Sequence, residues 1–225
     1  MSLRKLRAET DMSGFMRSRL AILKFIPFYF SLELADKMEF VAWWRRNFVS
    51  PAPHFIKMRI LQSAKNVDVW IETGTYMGRT TDFLRRVGSS VVSIEASKEL
   101  ASKAESLFKQ QTNVRIVYGL SEDELERILD GLGSDVRRIA FWLDGHYSGG
   151  PTHLGRVETP IQIELEIISR KLKCFDEVTV FIDDFRCFVN QETDYPGTEI
   201  LSCWAKDNNL SWSVEHDIFI ARTRT

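Results

Sequence analysis

From His54 to the end of the chain, short apolar runs alternate with longer stretches whose apolar positions recur every three to four residues. The runs at 67–72, 90–95, 114–118, 139–143 and 178–182 are apolar on successive positions, as strands covered on both faces are, and predict strands. The intervening spacing predicts helices from about 54 to 62, 79 to 87, 98 to 110, 122 to 132, 160 to 171 and 199 to 207. Residues 212–215 and 218–223 read as a final pair of strands. Regular alternation of strand and helix implies an α/β domain, a doubly wound, mostly parallel, Rossmann-like sheet with helices on both faces.

The chain before this pattern is different. Its first fifty residues hold nine Lys/Arg against five acids, with Phe25, Phe28, Tyr29, Phe30, Trp43 and Trp44 among them, and Pro51 and Pro53 close it off. Residues 1–52 are therefore read as a basic, aromatic helical arm and residues 53–225 as the main domain. The longest apolar run, around 20–32, is interrupted by Lys24 and Pro27 and falls short of the roughly 20 residues a membrane-spanning helix needs. Its aromatics are expected to pack on the main domain or on a second copy in a homo-oligomer, with docking on a membrane surface as the alternative.

A length of 225 residues, 44% hydrophobic and 27% charged, is that of an ordinary globular chain. Net charge is −1, so no field of one sign is available to hold a polyanion, and no nucleic-acid partner is expected. Cys174, Cys187 and Cys203 are odd in number and widely spaced, which fits a reducing cytoplasm better than a disulfide framework or a zinc site.

Ligands of open α/β sheets bind beyond the carboxyl ends of the strands, so the residues just after each strand carry the candidate chemistry. After the first comes Glu72-Thr73-Gly74-Thr75-Tyr76-Met77-Gly78-Arg79-Thr80-Thr81, in which two glycines flank a strand-to-helix turn. Glu95 closes the second strand 21 residues after Gly74, a spacing suited to an acid that binds ribose hydroxyls. Together they point to an adenosine-containing cofactor. Ser121 follows the third strand, where it can meet a base or cap the next helix. Asp144 ends the fourth strand and Asp183 and Asp184 the fifth; three converging carboxylates would repel, and Mg²⁺ is the cation suited to relieve them. Their alternative is pairing with Arg79, Arg156 or Arg186. His146 is a candidate base, His153 a weaker one, and residues 148–155 a candidate lid. Glu158 and Glu164 are polar extras, Glu164 reading as a solvated position on an amphipathic helix.

The segments ETGTYMGRTT, SIEAS, FWLDGHYSGG, PIQIELEII and FIDDF together resemble the class I S-adenosylmethionine-dependent methyltransferases over about residues 55–222. They look like a bacterial group associated with glycan and polysaccharide biosynthesis and, more distantly, like macrocin-type sugar O-methyltransferases. The resemblance implies a seven-stranded sheet with an antiparallel last strand. It implies S-adenosylmethionine over the first two strand ends, with Glu72, Gly74, Thr75, Gly78, Thr80 and Asp144 among the cofactor-binding residues, Glu95 on the ribose and Ser121 near the adenine. It also implies Mg²⁺ on Asp144, Asp183 and Asp184, with Asp144 and His146 catalytic toward a small-molecule or glycan hydroxyl. Two departures stand out: Leu120 occupies a position often acidic in related sequences, and the His-Tyr-Ser-Gly-Gly continuation after Asp144 is foreign to the macrocin type. A nicotinamide oxidoreductase would want a glycine where Tyr76 stands, and a non-catalytic scaffold would have no use for the clustered acids.

Overall fold

The computed structural model describes residues 34–145, 160–190 and 195–224. The expectations for His146, His153, Glu158, the lid at 148–155 and the first 33 residues of the arm lie outside the described residues. The chain divides into two compact units, Met1–Ile56 and Lys57–Thr225.

In the first unit, helix α1 (Leu34–Arg45) carries Trp43, which is buried, while Trp44 is exposed. Trp43 meets Phe40 and Phe48 edge-on with ring centroids 6.2 and 5.1 Å apart, and Phe40 lies 6.0 Å from Phe55. Such offset and edge contacts are the favoured geometry of aromatic pairs. Helix α2 (His54–Leu61) runs across the division between the units. Among the described residues no helix is long and apolar enough to cross a membrane.

The second unit is built on seven strands: β1 (Val69–Thr73), β2 (Ser90–Glu95), β3 (Val114–Tyr118), β4 (Arg138–Leu143), β5 (Glu177–Ile182), β6 (Leu210–Glu215) and β7 (Ile218–Thr223). Their order across the sheet is β3-β2-β1-β4-β5-β7-β6. β1 to β5 pair in parallel, whereas β7 is antiparallel to both β5 and β6. The expected mostly parallel sheet and terminal strand pair are both present. Every residue of β1 is buried, Glu72 and Thr73 included. The helices are α3 (Arg79–Val87), α4 (Lys98–Phe108), α5 (Ser121–Asp130), α6 (Ile161–Lys171), α7 (Phe185–Asn190) and α8 (Thr198–Asp207). The short α7 had no signal in the sequence pattern.

Register decides which side chains share a face. Ile71, Val92, Phe141 and Val180 align on one side and form a core with Leu125, Ile128 and Leu129 of α5, Ile161, Leu165 and Ile168 of α6, and Leu201 and Ala205 of α8. Trp70, Val91, Ala140, Trp142 and Phe181 belong to the opposite face, where Trp70 stacks on Phe181 at 5.8 Å. β1 lies inside the sheet between β2 and β4, where the strand order reverses, so the carboxyl ends of β1, β2 and β4 open onto one crevice.

Candidate functional site

The loop from β1 into α3 needs backbone freedom at its two glycines. Gly74 has φ of 87°, and a Cβ there would stand 2.6 Å from the Asp144 carbonyl oxygen, so β1 and β4 are joined by backbone packing at the crevice. Gly78 has φ of 74° and lies against the Phe108 ring. Beneath the loop sits Glu72, fully buried. Ser93 and Thr81 donate to its Oε2 at 2.6 and 2.5 Å, and Thr75 reaches Ser93 at 2.6 Å. Since the Ser93 proton is committed to Glu72, Thr75 is the donor in that pair. Burial, only partly offset by these hydroxyls, pushes the Glu72 carboxyl up to about 7. Glu72 and Thr75 thus brace the loop from below. Thr80 is half-buried in the first turn of α3.

Glu95, at the end of β2, accepts the Tyr76 amide at 2.8 Å on one oxygen and the Ser97 amide at 2.9 Å on the other. One carboxylate therefore ties the loop after β1 to the loop after β2. A carboxylate offers about four acceptor positions, so two remain.

Ser121 begins α5, and the residue before it, Leu120, stands at the helix cap, so Ser121 does not cap the helix. It is buried beside the Glu164 carboxyl. Glu164, expected to be solvated, is buried. Its side chain is 1% exposed, its Oε1 has no hydrogen-bond partner, and the Thr73 hydroxyl lies beside it. Burial pushes this carboxyl up to about 7 as well, against the pull of Ser121 and Thr73. The signal was available: Ile161, Glu164, Leu165 and Ile168 share one helical stripe, and three of the four are core residues. A small cavity is lined by Glu164 together with Asp144, Gly145, Ile161, Asp183 and Tyr195.

At the end of β5, Asp183 is ion-paired with Lys57, whose ammonium also lies 3.9 Å from Asp184. Burial alone would lower the Lys57 pKa, but Asp183, Asp144 and Asp184 outweigh it and hold the ammonium above its usual value. Arg186 donates to Asp184 at 2.6 Å and pairs with Asp217 in the β6–β7 turn. The expected divalent site does not fit these residues. Two of its three carboxylates already have cationic partners, and among the described residues no group of three or more His, Cys, Asp or Glu side chains could hold a metal ion. Of the pairings foreseen, Arg186 is present; Lys57, the partner of Asp183, comes from α2, more than a hundred residues away, and no local spacing announced it.

No protein-family model matches this chain, and no curated protein does. Solved structures similar to it include SMU.1697c of Streptococcus mutans in complex with SAH (14% identity, 77% of this chain and 98% of that chain, TM-score 0.49). They also include the N-methyltransferase NodS of Bradyrhizobium japonicum WM9 (14%, 76% and 93%, TM-score 0.48) and an rRNA methylase of Streptococcus thermophilus (11%, 77% and 96%, TM-score 0.44). At these identities and TM-scores the likenesses add nothing about chemistry. The presence of an rRNA methylase does overturn the expectation that nucleic acid is excluded as a partner. The physical reason is that net charge sums over a whole surface, while a polyanion is held by a local patch. The strand order, with β7 reversed between β5 and β6, is that of a Rossmann-like methyltransferase fold.

Proposed function

We propose that this chain binds S-adenosylmethionine over the ends of β1 and β2 and transfers its methyl group to a hydroxyl of a sugar, glycan or related natural product. The observation that carries the reading is Glu95: a buried carboxylate at the end of β2 that is anchored by two backbone amides and keeps acceptor capacity for a ribose diol, beside a glycine loop open to a ligand backbone. Gly74 and Gly78 keep that loop close to β4 and α4, so the cofactor would lie along it toward Asp144.

The transfer itself is an in-line displacement. The acceptor oxygen forms a bond to the methyl carbon, the carbon–sulfur bond breaks, and its electron pair stays on sulfur, leaving S-adenosylhomocysteine. The acceptor proton passes to His146, the proposed base, while Asp144 orients the hydroxyl. No step passes through a metal, because Lys57 and Arg186 supply the positive charge at the β5 end. The Lys57–Asp183 pair would meet a neighbouring hydroxyl of the substrate, a polar requirement that suits polyols.

Thermal-shift titration of the full chain with S-adenosylhomocysteine and with NAD tests the cofactor. A shift with the former alone is expected; a shift with NAD alone would overturn the reading. Transfer of labelled methyl to nucleotide sugars or glycans, with rRNA as a parallel acceptor, then tests the substrate class.

A further inference from the structure

Tyr76 stands at a point of the loop after β1 where its backbone is left-handed, with φ of 48°. Of the other described non-glycine residues at positive φ, all except Phe48, whose ring packs against Trp43, are Asn, Asp or His. Those residue types tolerate this conformation through short polar side chains; a tyrosine gains nothing of the kind and carries the full steric cost. Glycine would remove that cost, and it stands at the flanking positions 74 and 78. The ring is not retained for packing, since Tyr76 is 53% exposed and its neighbour Met77 61%. Nor does the backbone need the side chain, because the bond to Glu95 is made by the Tyr76 amide. Register places Tyr118, 54% exposed, directly beside Glu95 at the end of β3. Glu95 thus has one exposed tyrosine hydrogen-bonded to it through the backbone and another alongside it in the sheet.

Resting on the cofactor reading above, we infer that Tyr76 is a binding residue for the adenosyl moiety: its ring supplies an aromatic wall for the nucleoside held at Glu95. Strain held at an exposed site is then the cost of a contact made only when the ligand is bound.

The test compares wild type, Tyr76→Gly and Tyr76→Phe in the full chain, by thermal melting without ligand and by calorimetric titration with S-adenosylhomocysteine and 5′-methylthioadenosine. Tyr76→Gly is expected to melt higher, by roughly 2–4 °C, because it releases the left-handed backbone. It is expected to bind both compounds roughly five- to a hundredfold more weakly, the range for loss of one aromatic stacking partner. Tyr76→Phe is expected to keep wild-type affinity, since the ring and not the hydroxyl is the contact. A residue with a merely structural role would not raise stability and lower affinity together. Unchanged affinity in Tyr76→Gly overturns the inference, as does equal weakening in Tyr76→Phe. Failure of the wild type to bind either compound would instead overturn the cofactor reading itself, so the two failures are distinguishable.

Discussion

Glu164→Gln removes a carboxyl whose ionisation the fold resists. The group is fully buried, and its pKa is pushed from 4.5 to about 7 by loss of water, with Ser121 and Thr73 opposing. As pH rises, the unfolded chain releases this proton first, so the group costs nothing below pH 4.5 and its full penalty is reached only above pH 7. Linkage over a shift of that size gives a penalty of about 2.5 kcal/mol accumulated between pH 5 and pH 8. Glu72, also raised to about 7, adds a slope of the same sign that is common to both proteins. Urea unfolding followed by tryptophan fluorescence at pH 5 and pH 8 measures the difference. Wild type should lose stability over this interval by about 2.5 kcal/mol more than Glu164→Gln. The glutamine also leaves its oxygen or amide facing Ser121 and Thr73, both of which can pair with either. Parallel pH profiles for the two proteins would refute the reasoning, since they would mean that Glu164 is either solvated or already ionised in the folded state.

Glu95→Ala should weaken S-adenosylhomocysteine roughly ten- to a hundredfold by calorimetry, the loss of a charge-assisted hydrogen bond compounded by release of the Tyr76 amide. Lys57→Met leaves Asp183 buried without its cation and should cost about 3–5 kcal/mol in denaturant unfolding, with Lys57→Arg retaining most of the stability. Gly74→Ala, at φ of 87° with the Asp144 carbonyl 2.6 Å from the new carbon, should destabilise by about 1–3 kcal/mol in the same assay. Because Lys57 and Arg186 already pair with the acids at the β5 end, added MgCl₂ should leave the melting temperature of the full chain unchanged; a saturable rise abolished by Asp183→Asn would show a metal site after all.

The sheet was legible because its evidence is local. Continuous apolar runs such as Ile139–Leu143 mean burial on both faces, and the turn chemistry at Gly74 and Gly78 marks where a strand hands over to a helix. Strand and helix limits moved by only a residue or two, as for α5, which starts at Ser121 instead of 122 and ends at Asp130 instead of 132. What stayed hidden depends on contacts between distant segments. Asp183 and Asp184 read as surplus charge because Lys57, which neutralises Asp183, belongs to a helix that the sequence places far away. Glu164 read as solvated because its residue type outweighed its position within the apolar stripe of α6. The nucleic-acid expectation failed for a related reason, since composition averages over a surface that partners sample locally.

β7 follows β6 in the chain, yet it lies between β5 and β6, inside the sheet. Until it emerges during synthesis, β5 has an unsatisfied edge carrying Val178, Val180 and Ile182, the flat apolar template that favours pairing with another chain. β6 alone cannot cover that edge, because it reaches the sheet only through β7. Asp217, which fastens Arg186 at the mouth of the crevice, arrives with the same hairpin. Completion of the sheet and of that corner of the crevice are therefore one event, and deletion of residues 218–223 would strip out an interior strand and leave a sticky intermediate.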